Sequence, residues 1–361
     1  MPTAEAPTAR ATSVSKATQN TMPMTAALRR VLSTMLAGCV LAVAADAPAS
    51  AQTPEADQPR GTSIPDNARG PGIGAKGYRL ESLGDGLYTI TEGSYNTMFL
   101  VTRTGVVAVD APPTMASVIP KAIREVTRKP VTHVIYSHSH ADHIGAADIY
   151  PRKATRIAHR DTASQLRRFR DPKRRVPDVT FSRGLRLRVG GKTLELSYKG
   201  LNHEPGNIFV WAPRQRVLML VDVVFPGWVP FRNLSGAEDI PGYFKAIEQV
   251  LDYPFRRLVA GHLTRLGTRA DVRNNRAYLR DVRAAAQQAL TDVSFAEVIE
   301  AFPSENQWTI FDTYLDRVTR RCTDLVAPAW RDRLGGVDAF TFDHCWTVAQ
   351  SLRLGDNLRD R

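Results

Sequence analysis

The sequence predicts an α/β fold with a helical C-terminal region, on three observations. From residue 77 to residue 268, short β-branched and apolar runs typical of strands alternate with amphipathic segments typical of helices. From residue 269 onward the pattern is helical. Three histidines and an aspartate lie within residues 138–143, directly after one of the apolar runs. In open α/β sheets, sites are built at the carboxyl ends of strands, so we expect this cluster to be functional.

The composition is that of an ordinary globular protein. Of 361 residues, 43% are hydrophobic and 23% are charged, which suits one large or two modest domains. The net charge is +12, but the basic residues are mostly arginines scattered among acids, with one denser run at 167–175. We therefore predict no nucleic-acid partner. No pattern in the sequence indicates the oligomeric state.

Residues 1–51 are predicted to be an N-terminal extension with a secretory signal peptide. Two arginines at 29–30 precede an uncharged apolar run at 31–45, and a small-x-small cleavage site ends at Ala51. The apolar run has 15 residues, fewer than the roughly 20 that span a bilayer. We therefore predict a periplasmic or secreted protein, with no stable membrane insertion after the signal is removed.

A second processing route fits the same segment. Residues 36–39 resemble a bacterial lipobox, which would make Cys39 a lipidated N-terminus. Either route places the protein outside the cytoplasm. Residues 52–76 are rich in proline, glycine and aspartate, and we predict that they form a flexible linker to the α/β domain at 77–268.

The first half of the domain is predicted to contain antiparallel strands, then a helix, then a buried strand. Glycine-containing turns separate the first strands, which are predicted at 80–83, 87–91, 97–102 and 105–109. An amphipathic helix at 114–127 is stopped by Pro130. The apolar strand at 131–136 follows and leads directly into the histidine cluster.

The residue types in this cluster predict a metal site. His138 and His140 are two residues apart, so their rings point to the same side of an extended backbone. Asp142 and His143 follow where the chain turns into a helix. Neutral imidazole nitrogens and carboxylate oxygens are the ligands that zinc takes. The alternative is a solvated polar loop, which the position behind a hydrophobic strand disfavours.

The second half of the domain again places polar residues at strand ends. Strands are predicted at 156–159, 179–181, 185–189, 193–198, 208–212, 217–221 and 258–260, with helices at 161–170 and 240–251. His203, Asp222 and His262 each come shortly after one of these strands, as a common metal centre requires. His159 stands alone, and we interpret it as structural or as the edge of a pocket.

Four motifs resemble those of the metallo-β-lactamase superfamily. Residues 138–143 read as its H-x-H-x-D-H signature, and residues 200–207 resemble its histidine-plus-Pro-Gly turn. Residues 221–225 resemble its G-D-x-x-F element, with Val221 where glycine is usual, and residues 260–262 resemble its terminal Gly-His. The resemblance covers roughly residues 78–268. It implies an αβ/βα four-layer sandwich, to which the helical region at 269–361 would be packed.

The resemblance also implies the ligands and the reaction. One metal would be held by His138, His140 and His203, the other by Asp142, His143 and His262, with Asp222 bridging them. Two zinc ions per chain are expected, with iron or manganese as alternatives. The implied activity is that of a metallo-hydrolase with a small-molecule substrate, in which a metal-bridging hydroxide attacks an ester, lactone, thioester or amide carbonyl. Asp142 would orient this nucleophile and carry its proton.

Three other activities occur on the same fold. Asp222 argues against the β-lactamases that carry cysteine at this place, but β-lactamase-like activity stays an alternative. A mononuclear iron sulfur-oxygenase would need only two histidines and one acid, whereas all seven ligands are present. A phosphodiesterase or nuclease usually carries an inserted domain between the late motifs, and the stretch from Asp222 to His262 leaves no room for it.

The remaining predictions concern the substrate wall and the cysteines. Residues 225–233 are aromatic and follow Asp222, so they are either a packed crossing loop or a wall that favours apolar substrates. On the second interpretation the substrate contacts would come from Phe225, Trp228 and Arg232. In the C-terminal region, helices are predicted at 270–290, 295–301 and 309–326 and beyond. Its two cysteines, Cys322 and Cys345, are either disulfide-bonded or two free buried thiols.

Overall fold

A seven-stranded sheet carries the first half of the domain. The computed structural model describes residues 64–355, which belong to one unit spanning Gln58–Arg361. The sheet has the order β1-β2-β3-β4-β5-β6-β7; β1 to β4 pair in antiparallel fashion, and β4 to β7 in parallel. Its strands are β1 (Arg79–Gly84), β2 (Leu87–Thr91), β3 (Asn96–Val101), β4 (Val106–Val109), β5 (Val131–Ile135), β6 (Thr155–His159) and β7 (Val179–Phe181).

A five-stranded sheet carries the second half, in the order β12-β11-β10-β9-β8. Its pairs are antiparallel except β11 and β12, which run parallel. The strands are β8 (Gly184–Val189), β9 (Lys192–Ser197), β10 (Phe209–Ala212), β11 (Val217–Met219) and β12 (Arg257–Val259).

The longer helices pack on the outer faces of the two sheets. The helical segments are α1 (Val118–Val126), α2 (Ala141–Ile144), α3 (Arg160–Phe169), α4 (Arg232–Gly236, with three left-handed residues), α5 (Ile240–Val250), α6 (Arg269–Asp292), α7 (Phe295–Ala301), α8 (Gln307–Trp330) and α9 (Val337–Arg353). The start of α6 is fixed by a capping box, in which the Thr268 hydroxyl and the Asp271 carboxylate each accept a backbone N–H of the other residue. Within residues 64–355, no helix has both the length and the apolar character needed to cross a membrane.

Strand β10 shows how the layers are assembled. All four of its residues are buried, which explains its continuous apolar sequence. Val210 and Ala212 pack into the core between the two sheets, whereas Phe209 and Trp211 pack against the helices on the other face. A third core lies between the first sheet and α1, where Ile119 is buried. The order helix, sheet, sheet, helix confirms the predicted αβ/βα sandwich.

The C-terminal region is helical, as predicted, and it covers the second sheet. Helices α6, α8 and α9 share the core that includes Phe209 and Trp211. A disulfide joins Cys322 on α8 to Cys345 on α9, which decides between the two alternatives that the sequence left open.

The segment before the first sheet differs from the predicted flexible linker. Residues Asp66–Ala68 form a short 3₁₀ turn, and Ala68 is buried. The indole N–H of Trp228 donates to the Ala68 carbonyl at 2.9 Å, and the Asn67 amide donates to the Arg333 carbonyl at 2.9 Å. These contacts fix part of residues 64–76. The predicted signal peptide at 1–51, including Cys39, lies outside the described residues.

Candidate metal centre

Asp110 organises the loop that carries the first histidines. It follows β4 with a left-handed backbone (φ 54), and its Oδ1 accepts the backbone N–H of Ser137 at 2.7 Å. The Ser137 hydroxyl in turn lies 2.9 Å from Nδ1 of His138, which leaves Nε2 of that ring to face the centre. Burial raises the pKa of Asp110 to about 6. Asp110, at the end of β4, therefore helps to hold the loop that carries His138.

Four side chains form the first half of the centre: His138, His140, His203 and Asp222. Nδ1 of His140 lies 3.0 Å from Nε2 of His203. Oδ2 of Asp222 lies 3.3 Å from Nε2 of His203 and 3.6 Å from Nε2 of His138. The potential ligand atoms lie within 4.8 Å of one another, so one cation could contact all four.

Asp222 also belongs to the second half, with Asp142, His143 and His262. Its Oδ2 lies 3.1 Å from Nε2 of His143, and its Oδ1 lies 3.1 Å from Nε2 of His262. Nε2 of His143 is 3.2 Å from Nε2 of His262 and 3.3 Å from Oδ2 of Asp142. The structure thus brings together all seven predicted ligands, in the two predicted groups and with the predicted shared acid.

The donor set fits divalent cations. Nε2 of His138 is buried and has no hydrogen-bond partner among residues 64–355. Ring nitrogens face one another at 3.0 Å between His140 and His203 and at 3.2 Å between His143 and His262. A neutral imidazole has one N–H and one lone pair, so the rings alone cannot supply a hydrogen bond to every nitrogen of the cluster. Imidazole nitrogens together with carboxylates suit zinc, and also iron or manganese.

Burial and neighbouring charges shift the pKa values of several side chains in the cluster. Burial alone would raise the pKa of Asp222, but the charge of His143 and hydrogen bonds from His143 and His262 hold it well below its usual value. Burial would lower the pKa of His143, but the carboxylate of Asp222 outweighs it and the pKa rises to about 9. Burial lowers the pKa of His203 to about 4. A bound metal would displace the proton of His143, since ligands bind deprotonated.

Glu204 is a member of the centre that the sequence analysis missed. It is buried, accepts the backbone N–H of Ser139, and lies 3.1 Å from the hydroxyl of that residue. Its Oε2 is 3.2 Å from Nε2 of His140. The carboxylate therefore contacts the ring nitrogen of His140 that faces away from His203. An acid directly after a proposed ligand, within the Pro-Gly turn, was the signal available in the sequence.

Tyr95 was also missed. Its ring lies 4.6 Å from that of His262, and its hydroxyl lies 3.4 Å from Oδ2 of Asp142. The next residue, Asn96, binds the backbone of Gly261 and of His262, each at 2.9 Å. The turn between β2 and β3 thus holds the last ligand in place. Burial raises the pKa of Tyr95 to about 12, so its hydroxyl stays protonated at neutral pH.

The structure corrects the predicted substrate contacts. Phe225 is buried, with its ring stacked over His262 at 6.1 Å. Trp228 instead packs on Gly335 and binds the Ala68 carbonyl, because the chain turns at Gly227 (φ 81), directly against the backbone of residues 67–68.

Arg232 is likewise engaged elsewhere, in an ion pair with Asp343 at 2.8 Å. The residue of this segment that stands at the centre is Phe231, which is 36% exposed. Its ring is perpendicular to that of His262 at 4.8 Å. An aromatic segment does lie beside the centre, and the side chain that it exposes there is Phe231.

Part of the chain is similar in sequence to known proteins. The family model of the "Metallo-beta-lactamase superfamily" matches residues 90–262. The 2,4-dinitroanisole O-demethylase subunit alpha of Nocardioides sp. (strain JS1661) is 34% identical over 181 residues, covering 44% of this chain and 55% of that protein. Metallo-beta-lactamase IND-1 of Chryseobacterium indologenes is 27% identical over 137 residues, covering 37% of this chain and 56% of that protein.

Among solved structures, a metallo-beta-lactamase from Pontibacter korlensis matches with a TM-score of 0.48 and 20% identity, over 55% of this chain and 97% of that chain. The chain spans just over half the length of these two curated relatives. Helices α6 to α9 begin at residue 269, after the end of the matched residues.

Proposed function

The chain belongs to the metallo-β-lactamase superfamily through its residues 90–262, and on this premise we propose that it is an exported dinuclear zinc hydrolase. Its substrates would be esters, lactones, thioesters or amides. The observation that carries the proposal is the shared acid: Asp222 contacts ligands of both groups, which supports a pair of cations that share this carboxylate. Export is inferred from the pattern of residues 1–51 alone, and it disfavours glutathione thioesters, which are cytosolic.

Each accessible side chain of the centre has a proposed task. Bound zinc would supply a hydroxide near neutral pH and stabilise negative charge on oxygen. The side chain of Asp142 is 45% exposed and would orient the nucleophile and take up its proton. The hydroxyl of Tyr95, 3.4 Å from this carboxylate, would donate a hydrogen bond to a substrate oxygen. Phe231 would contact the apolar part of the substrate.

The first experiment is metal analysis of the purified protein, followed by ester, lactone, thioester, β-lactam and phosphodiester substrates. We expect two zinc ions per chain, and hydrolysis that a chelator abolishes and zinc restores. The variant His138→Ala/His140→Ala should lose both zinc and activity, whereas His133→Ala, which changes a half-buried histidine of β5 outside the centre, should retain them. One iron per chain without hydrolysis would favour a sulfur-oxygenase, and unchanged turnover of the double variant would exclude the centre.

A second candidate reaction is hydrolysis of an electron-poor aryl methyl ether. It is favoured by the 34% identity to the 2,4-dinitroanisole O-demethylase subunit alpha and by the aromatic rings of Phe225 and Phe231 beside His262. Hydroxide would add to the ring carbon that bears the methoxy group, and methanol would leave. Incubation with 2,4-dinitroanisole in ¹⁸O-water tests this reaction: label is expected in the phenol product. An unlabelled phenol, or no product from the zinc-loaded protein, would contradict it.

A further inference from the structure

Phe231 packs against three other rings beside the metal centre. Its ring lies 4.8 Å from that of His262, 5.1 Å from that of Phe225 and 6.1 Å from that of Phe340 on α9, and over a third of its surface is exposed. The direction of this ring depends on these contacts and on the position of its backbone. The contacts of that backbone therefore help to decide whether Phe231 serves as a wall.

The chain directly after Phe231 forms a strained turn, in which the Ser235 N–H donates to the Phe231 carbonyl at 3.0 Å. Asn233, Leu234 and Ser235 have left-handed backbone angles (φ 52, 52 and 62). Such angles cost roughly 1–2 kcal/mol for each residue other than glycine, and persist only when the surroundings impose them. Leu234 is completely buried and anchors one point of this turn. Further restraint comes from the elements packed against this turn.

Helix α9 supplies this restraint through three side chains. Nε2 of His344 lies 2.9 Å from the Phe231 carbonyl. Asp343 pairs with Arg232 at 2.8 Å, and the Thr347 hydroxyl donates to Oδ1 of Asn233 at 3.2 Å. Three consecutive residues of the loop, 231–233, are therefore each bound by α9.

The contact from His344 is itself held in place by a side chain of α6. His344 is buried, and its Nδ1 lies 2.8 Å from the hydroxyl of Tyr278 on α6. The same hydroxyl lies 3.0 Å from that of Thr341. When the tyrosine donates to Nδ1, the imidazole carries its hydrogen on Nε2 and donates it to the Phe231 carbonyl. Thr341, Tyr278 and His344 thus form one chain of hydrogen bonds that ends at the wall.

We propose that α9, which lies outside the matched family domain, is a specificity element of the substrate site. Its positioning residue is His344, which holds the Phe231 backbone so that the ring covers the His262 side of the centre. The substrates it would favour carry an apolar or aromatic group next to the reacting carbon. This inference rests on the proposed function, which it deepens by naming that substrate class.

The test compares 4-nitrophenyl octanoate with 4-nitrophenyl acetate. We expect His344→Leu, which cannot donate to Phe231, to lower kcat/KM for the octanoate about 10-fold relative to the acetate. The loss should appear in KM, while zinc content and kcat for the acetate stay within about two-fold. His344→Gln keeps an N–H donor and should restore part of the preference. Asp338→Asn, on the first turn of α9 with Arg331 as its partner, is the matched control and should change nothing.

A double-mutant cycle separates positioning from general destabilisation. If His344 acts through Phe231, the double variant His344→Leu/Phe231→Ala should lose no more octanoate preference than Phe231→Ala alone. Additive losses, equal losses for both esters, or an unchanged ratio would overturn the proposal. Should His344→Leu fail to fold, Asp343→Asn/Thr347→Val removes the other two contacts and is expected to shift the ratio in the same direction.

Binding of octanoate and acetate, measured by calorimetry, needs no turnover. The same variants should weaken octanoate binding about 10-fold and leave acetate binding unchanged. If the wild-type protein hydrolyses no substrate but shows this pattern, the proposed function fails while the role of α9 stands. If it hydrolyses esters and His344→Leu leaves octanoate binding unchanged, the role of α9 fails while the proposed function stands.

Discussion

Two acids of the centre, Asp110 and Asp222, have left-handed backbone angles at strand ends (φ 54 and 61). Aspartate tolerates this conformation better than most residues, yet it is uncommon outside glycine. With this backbone, the Asp110 carboxylate accepts the N–H of Ser137, and the Asp222 carboxylate contacts both groups of ligands. The local backbone strain is the cost of placing these two groups.

At the residue scale, Asp142 provides the first prediction. Asp142→Asn keeps the size and one oxygen of the side chain but removes its capacity to take up a proton. We expect zinc content to stay near the wild-type value, while kcat falls by about 10²- to 10⁴-fold, the range for loss of a general base. Asp148→Asn, at an exposed acid six residues further on, is the control. A wild-type rate in Asp142→Asn would remove the assigned role.

Glu204 provides the second prediction at the residue scale. A carboxylate on the outer nitrogen of a metal-binding imidazole fixes the orientation of the ring, and its loss typically weakens metal binding 10- to 100-fold. We therefore expect Glu204→Gln to weaken zinc binding by about this factor in competition with a chelator. Ser139→Ala removes a hydroxyl partner of Glu204 but not its contact with His140, and should have a smaller effect. Equal affinities for wild type and Glu204→Gln would show that Glu204 only holds the loop.

The residues of the centre differ in how far the sequence could predict them. The seven potential ligands follow strand ends in recognisable motifs, so their convergence could be anticipated. Tyr95 and Phe231 carry no motif, because their roles depend on which loops meet above His262. Trp228 and Arg232 were misassigned because sequence proximity to Asp222 does not show which way a loop turns. The bend at Gly227 sends Trp228 towards Ala68.

At the element scale, the order of strands and helices was predictable, but their ends were not always. The helix predicted at 114–127 begins only at Val118, since a 3₁₀ turn at Pro113–Met115 precedes it. Helix α8 continues past Pro328 to Trp330, although proline lacks the N–H that a helix interior uses. Tertiary packing decides such cases: Ala327 and Trp330, on either side of this proline, are both buried.

The free energy of unfolding should depend on pH through His344 of α9. Burial lowers its pKa to about 4, whereas an unfolded histidine titrates near 6.5. Between these values the unfolded chain binds a proton that the folded one does not, so stability is complete above pH 6.5 and falls as the pH drops towards 4. The loss approaches about 3 kcal/mol. Chemical unfolding at pH 7.5 and 4.5 should show a smaller decrease for His344→Gln than for wild type; equal decreases would contradict this.

At the scale of the whole molecule, the N-terminal pattern predicts export. Expressed in full in a Gram-negative host, the protein should be recovered in the periplasm with Gln52 as its first residue, as read by mass spectrometry. Cys39→Ser should not alter this result if signal peptidase cuts after Ala51. A mature chain that begins at a lipid-modified Cys39 would instead support the lipoprotein route, and full-length protein in the cytosol would refute export.

The family resemblance predicted the four-layer arrangement, but it did not predict which helices would pack on the second sheet. Helical periodicity predicted α6, α7 and α8 without showing which face each would bury. In the structure, α6, α8 and α9 pack on the side of β10 that presents Phe209 and Trp211. Only this packing reveals that α9 reaches the loop at 231–233, more than a hundred residues earlier in the chain.

The bond between Cys322 and Cys345 has a practical consequence for anyone who purifies this protein. Cys345 directly follows His344, so the covalent tie to α8 lies beside the contact that holds the aromatic wall. Both sulfurs are buried, so only a reductant that reaches the core would remove this tie, and α9 would then rely on its non-covalent packing alone. Free thiols should therefore be counted in each batch before substrate preferences are compared.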